Sequence, residues 1–170
     1  MSRIAEKIVG KPLRISGRIT QRGTVADNVG KSGAHSIIYQ QGNVNNADET
    51  IDNDALKFGT NDLIIIGANA IDLFNNAAIL AGSLGGGLVG KSINLWNVEG
   101  VKVIVAVGLE KLIPGNINEI VKRTNRKNKF LLWGMAVGLI PIQGEIFTEI
   151  EAIKMLANVD CFTIAAGGIV

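Results

Sequence analysis

One cysteine, one histidine and three prolines are all that this 170-residue chain carries of those types. A lone cysteine excludes an intrachain disulfide, and Cys161, set in the apolar run "CFTIAAGG", reads as a small core residue rather than a nucleophile. One histidine and one distant cysteine make no zinc set, so neither a metal nor another cofactor is expected. Charged residues are sparse at 19%, and a net charge of +2 is too small an imbalance for a nucleic-acid footprint. A membrane span is not expected either. The most apolar stretch, "FLLWGMAVGLIPI" (130–142), falls short of the roughly 20 residues a spanning helix needs, and glycine and proline interrupt it. The opening "MSRIAEKIVGKPLRIS" has no apolar core followed by a small-residue cleavage site, so a cytoplasmic protein is expected.

Hydrophobic residues, at 47%, and glycines, 21 of them, are plentiful, which excludes disorder and points to a compact globular chain. Its length suits a single domain over residues 1–170, able to bury roughly 70% of the surface of the unfolded chain.

Short β-type runs alternate with helical ones. "LRISGRI" (13–19) and "HSIIYQ" (35–40) read as strands, while "DLIIIGA" (62–68) and "VKVIVAVG" (101–108) are continuous Val/Ile runs of the kind found in parallel strands covered on both faces. Helices are expected over 47–59, with Asp48 or Thr50 as cap, over 88–100, over 116–127 behind Asn116, and over 148–159 behind Thr148. A final strand is expected over "CFTIAA" (161–166). This alternation predicts an α/β chain, a Rossmann-like three-layer sandwich with a mostly parallel central sheet, whose ligands bind past the carboxyl ends of the strands. Lys122, Arg123, Arg126, Lys127 and Lys129 cluster where the third helix ends, and there they complement the helix dipole.

"GGGLVGKS" (85–92) satisfies G-x-x-x-x-G-K-[ST], the phosphate loop of P-loop NTPases, with Gly85, Gly90, Lys91 and Ser92 in the required places. A working loop of that kind also needs an Asp at the end of a second hydrophobic strand to hold Mg²⁺, and both Val/Ile runs end in glycine instead. An NTPase is therefore the weaker reading. The glycines still need a reason. At a helix entry they let backbone N–H groups converge on an anion, and close packing of helix on strand selects them equally.

The stretch "DLIIIGANAIDLFNNAAILAGSLGGGLVGK" (62–91) resembles the central motif of ribose-5-phosphate isomerase and its relatives, in which a strand ends in D-G-A-D-E-x-D and is followed by K-G-G-G-G and an R-E-K helix. "VKVIVAVGLEKL" (101–112) is similar to that family's next strand, with Lys111 in place of its lysine. "GANAID" also resembles the G-A-D-x-I of the initiation-factor-like isomerases. The resemblance covers about residues 60 to 112 and implies membership of the superfamily of sugar-phosphate isomerases, CoA transferases and sugar-sensing repressor domains. The departures fall on the chemistry. Where the isomerase has catalytic acids this chain has Ile66, Asn69 and Ala70, and only Asp72, at the last acid of the motif, is kept. The catalytic lysine is replaced by Ala81 or Gly82, and the acid of R-E-K by Gly90. Without a positioned base, ordinary isomerisation is not expected.

The resulting expectation is a cleft for a phosphorylated or otherwise anionic small molecule: a sugar phosphate, a nucleotide or a CoA ester. Its walls would be the turn with Gly67, Asn69 and Asp72, the loop with Gly82, Ser83, Gly85, Gly86 and Gly87, and the side chains of Lys91 and Lys111. Arg18 and Arg22, in the polar segment 17–36, would close it with bidentate grips. An enzyme would place Asp72 or Glu145 in the cleft as its catalytic carboxylate, Glu145 by analogy with the glutamate nucleophile of CoA transferases. A sensor or regulatory protein would show only donors and apolar walls. His35 is open to acid–base work or to a structural role. The apolar 130–142 run suits a buried strand or a subunit contact, and a homo-oligomer is expected.

Overall fold

In a computed structural model the backbone is described for residues 2–26, 33–127 and 129–166, and the side chains from residue 6 onward. Helix α1 (Ser2–Val9) precedes two hairpins, β1 (Gly17–Thr20) with β2 (Gly23–Ala26) and β3 (Ile37–Gln40) with β4 (Asn43–Asn46). The second turns on Gln41 and Gly42, both at positive φ, as a two-residue loop between right-twisted strands requires. The strand expected over 13–19 begins only at Gly17, and the polar segment 17–36 is not a plain loop. Its first ten residues are instead the β1–β2 hairpin, and residues 27–32 lie outside the described residues.

Beyond α2 (Ile51–Ala55) the chain alternates as the sequence suggests, through β5 (Leu63–Ile66), β6 (Ala70–Ile71), β7 (Ala77–Ala81), α3 (Gly87–Val98), β8 (Lys102–Ala106), α4 (Ile117–Arg123), β9 (Gly138–Ile142), β10 (Glu145–Phe147) and α5 (Glu149–Ala157). The fold is mixed α/β. The two Val/Ile runs become β5 and β8, paired in parallel, and β10 joins the other side of β8 in the same direction. Parallel pairing stops there. A second three-stranded sheet, ordered β6-β7-β9, is antiparallel throughout.

The main core lies between these two sheets and α3. Ile71, Ala77 and Ile142 of the antiparallel sheet pack with Val103 and Val105 of the parallel one and with Ile93 and Trp96 of α3. Burial of such side chains, at about 25 cal/mol per Å² of apolar surface, is what holds the two sheets together. Not every apolar residue reaches it. Alternate residues of β5, Leu63 and Ile65, remain half exposed, so β5 is not covered on both faces.

Several expected elements differ. The helix expected over 47–59 closes after one turn and a half, at Ala55, and the one over 116–127 stops at Arg123. Residues 161–166 pair with no strand. Only 138–142 of the apolar 130–142 run form a strand, while Phe130, Leu131 and Trp133 stand in an exposed loop. This loop anchors the first hairpin: Thr24 donates to the Trp133 carbonyl at 3.2 Å, and the Met135 amide donates to Thr24 at 2.6 Å. Gly23, at positive φ, has no room for a side chain because a Cβ would strike the Trp133 carbonyl.

Candidate ligand-binding site

In open parallel α/β sheets ligands bind beyond the carboxyl ends of the strands, where helix starts and loops converge. A hollow of about 420 Å³ lies in that position. Ile146 near the end of β10 and Leu109 and Leu112 after β8 form apolar wall, together with Ile71 at the end of β6. The first turn of α5 contributes Thr148, Ile150 and Glu151, and residues 163–166, expected as a strand, border it instead.

Asp72 lines the hollow and is 5% exposed. Its Oδ1 accepts the amides of Phe74 (2.8 Å) and Asn76 (3.0 Å), its Oδ2 accepts the amide of Ile117 (2.8 Å), and the Asn76 side chain donates to both oxygens. Burial pushes the carboxyl up, but these donors outweigh it and hold it below the usual aspartate range. A carboxylate so engaged is a weak base. Its visible task is to shape the 72–76 turn and to cap α4.

The second carboxylate on the wall is equally engaged. Thr148 caps α5 by accepting the Ile150 amide at 3.2 Å, and Glu151 accepts the Thr148 amide at 2.7 Å, which completes a capping box. Burial raises the Glu151 carboxyl, yet the Thr148 hydroxyl and amide bring it below its ordinary value. Glu149, in the same first turn, accepts the Leu109 amide at 2.9 Å and so ties α5 to the turn after β8. The sequence placed Thr148 and the acids at this helix start. Their closure of the hollow came only from the parallel pairing of β10.

The glycine-rich turn stands elsewhere. β7 begins beside Ile71 and leads away from it, so that its last residue, Ala81, lies roughly 14 Å from that end and Gly82 roughly 17 Å, at about 3.4 Å per strand residue. Asn69 bonds the preceding turn to the same far end of β7, its side chain accepting the Leu80 amide at 2.9 Å, and Gly67 precedes it at the exit of β5. The expected walls therefore divide into two groups. Gly82–Gly87 follow the end of β7 and Asn69 bonds to Leu80 close to it, whereas Asp72 sits at its start.

Within that turn Gly85, Gly86 and Gly87 all have positive φ. A Cβ on Gly82 would strike the Met135 side chain, one on Gly86 the Ile140 side chain and one on Gly90 the Gly85 carbonyl, so close packing explains these three. Gly85 alone faces open space. The amides of Gly86 and Gly87 already donate to the Ser83 and Leu84 carbonyls. Ser83 precedes the turn and makes no side-chain cap.

Gly90, Lys91 and Ser92 lie inside α3, not in a loop. Lys91 points to α2 and pairs with Asp52 at 3.0 Å, and the fully buried Ser92 hydroxyl donates to the Leu88 carbonyl at 2.8 Å. This geometry lends the P-loop reading no support. Lys111 follows β8, with Glu110 3.8 Å away. Glu145 opens β10 on the surface, 3.5 Å from Lys102, and does not line the hollow. Arg22 occupies the turn of the first hairpin and Arg18 its exposed first strand. Met135 links that hairpin to Gly82, which brings the amino-terminal segment to the glycine turn.

No family model, curated protein or solved structure matches the chain. Among the described residues no helix is long and apolar enough to cross a membrane, and no cluster of three or more His, Cys, Asp or Glu is placed to hold a metal.

Proposed function

We propose that this chain is a small-molecule-binding α/β domain, Rossmann-like around its parallel strands, that recognises an anionic ligand and does not transform it. The observation that carries this reading is the hollow past the ends of β8 and β10, whose two carboxylates, Asp72 and Glu151, are both committed to backbone donors. Apolar walls and engaged acids suit binding better than proton abstraction, which favours a sensor or regulatory role over a divergent isomerase or transferase.

The anionic group belongs at the glycine turn in this reading. The Gly86 and Gly87 amides are engaged by the Ser83 and Leu84 carbonyls, so the attraction there is that of the α3 dipole, with no acid in the first turn of the helix and Gly85 leaving the approach open. The hollow itself offers no lysine or arginine among its lining residues, so it takes the uncharged part of the ligand. The separation of roughly 14 Å between the two ends of β7 matches a nucleotide or a CoA ester better than a compact sugar phosphate.

A calorimetric screen of CoA esters, nucleotides and sugar phosphates tests this, with Thr163→Trp filling the hollow and Leu84→Glu placing a negative charge on the glycine turn. Both replaced residues are exposed, so folding is preserved. The expected result is a CoA ester or nucleotide that binds, is recovered intact and loses at least about tenfold in affinity in each variant. A ligand indifferent to both variants, or one converted by the protein in a manner dependent on Asp72, defeats the reading.

A further inference from the structure

The amino-terminal third carries a second constellation, none of whose residues lines the hollow. Residues 13–16 lead into β1 and residues 34–36 lead into β3, and the two segments lie side by side: the Arg14 amide donates to the Ala34 carbonyl at 2.9 Å. Asp48 fastens them. It accepts the amides of His35 (3.0 Å) and Ser36 (2.7 Å), and the Arg14 guanidinium reaches it at 3.0 Å.

The pairing brings the His35 ring against two groups. Its Nδ1 is 3.1 Å from the Arg14 carbonyl oxygen, and its Nε2 is 3.2 Å from the Ser16 hydroxyl. A carbonyl oxygen only accepts, so in the neutral imidazole Nδ1 must carry the proton and Nε2 must be bare. The Ser16 hydroxyl then donates to Nε2. This is the tautomer and the order of contacts that activates a serine: nucleophile, base, and a third group that holds the base in register, here a main-chain carbonyl in the place a carboxylate often takes.

We propose that Ser16 and His35 form a nucleophilic dyad that acts on small, activated carboxylic esters. Ser16 Oγ adds to the ester carbonyl carbon while its proton passes to His35 Nε2. The tetrahedral adduct collapses, the C–O bond to the alcohol breaks, and the departing alkoxide takes that proton. Water, deprotonated by the same nitrogen, then cleaves the acyl-serine to release the acid and restore the hydroxyl. Ser16 is exposed, so a substrate reaches it without any movement of the chain. Asp48 touches neither the hydroxyl nor the ring and serves as a positioning residue, because it fixes the two backbones that carry them.

The test is labelling of the full chain with a fluorophosphonate, followed by mass spectrometry, alongside p-nitrophenyl acetate turnover. One adduct per chain on Ser16 is expected, absent in Ser16→Ala, with turnover at least about tenfold slower in His35→Gln. Thermal melting of each variant separates loss of chemistry from loss of fold. Asp48→Asn is expected to lower turnover, and Asp48→Glu to restore part of it. An unlabelled wild-type Ser16, an adduct on another residue, or a His35→Gln variant that melts normally and reacts at the wild-type rate overturns the dyad.

Discussion

Asp72 caps a helix that begins forty-five positions later: its Oδ2 accepts the Ile117 amide at 2.8 Å, the first donor of α4. The other oxygen holds the Phe74 and Asn76 amides, so both sides of the carboxylate face backbone N–H groups. An asparagine there presents its NH₂ to a donor whichever way it turns. Asp72→Asn is expected to cost about 2–4 kcal/mol, measured by urea denaturation, because a buried amide is left without a partner. A variant of wild-type stability would refute the structural role.

The same carboxylate sets an acid limit. Burial raises Asp72, the donors of Ile117, Asn76 and Phe74 lower it further, and the folded value lies below the unfolded one of about 3.9. The stability it contributes is therefore complete above about pH 4 and is lost as pH falls through the lowered folded value. Glu151, depressed by Thr148 against the opposing effect of burial, works in the same direction. Wild-type melting temperature should drop on acidification below about pH 4, and Asp72→Asn should show a shallower drop.

Two adjacent positions on α3 separate packing from phosphate recognition. Gly90→Ala drives a methyl into the Gly85 carbonyl, for which about 1–3 kcal/mol of destabilisation is expected. Lys91→Ala removes an exposed ion pair to Asp52 and should change stability far less. If nucleotide binding required Mg²⁺ and vanished in Lys91→Ala alone, the P-loop reading would return.

The start of α5 is a third site for measurement. Thr148→Ala removes the acceptor for the Ile150 amide and the hydroxyl beside Glu151. About 1 kcal/mol of stability should be lost, and hydrogen exchange should quicken in the first turn of α5 while the β5–β8 pair stays protected.

Tryptophan fluorescence checks the exposed loop. Trp96 is 5% exposed in the core and Trp133 is 78% exposed. Trp133→Phe should therefore leave an emission that is shifted to the blue and resists quenching by acrylamide. A quencher-resistant Trp133 in the wild type would mean that the loop is covered.

Much of the local structure is legible in the residues themselves. "LIII" and "KVIVA" become strands because continuous β-branched side chains fit a pleated surface, although only "KVIVA" contributes fully buried residues. Asn116 and Thr148 cap the helices assigned to them because a cap needs only a side-chain oxygen and an amide two residues on. Less legible is the sense of pairing. "AAILA" is an apolar run ahead of the glycines, yet nothing within it specifies that β7 runs antiparallel between β6 and β9. The hairpin at Gln41-Gly42 was also missed, although a glycine between two short polar-flanked runs is the kind of signal that finds one. Asp72 illustrates the same limit in the candidate site. The motif singled out the residue, and the fold then engaged it with donors from α4.

What this sequence determines alone is what depends on neighbours a few positions apart: the mixed α/β character, the two Val/Ile strands, of which β8 is central and β5 lies at the sheet edge, the capped start of α5 and the glycine turn ahead of α3. Tertiary structure alone decided which of those pieces face one another. The Asp72–Ile117 cap, the separation of that acid from the glycines along β7 and the meeting of Ser16 with His35 all depend on distant segments packing side by side, and directional hydrogen bonds between them exist only once the apolar faces have closed.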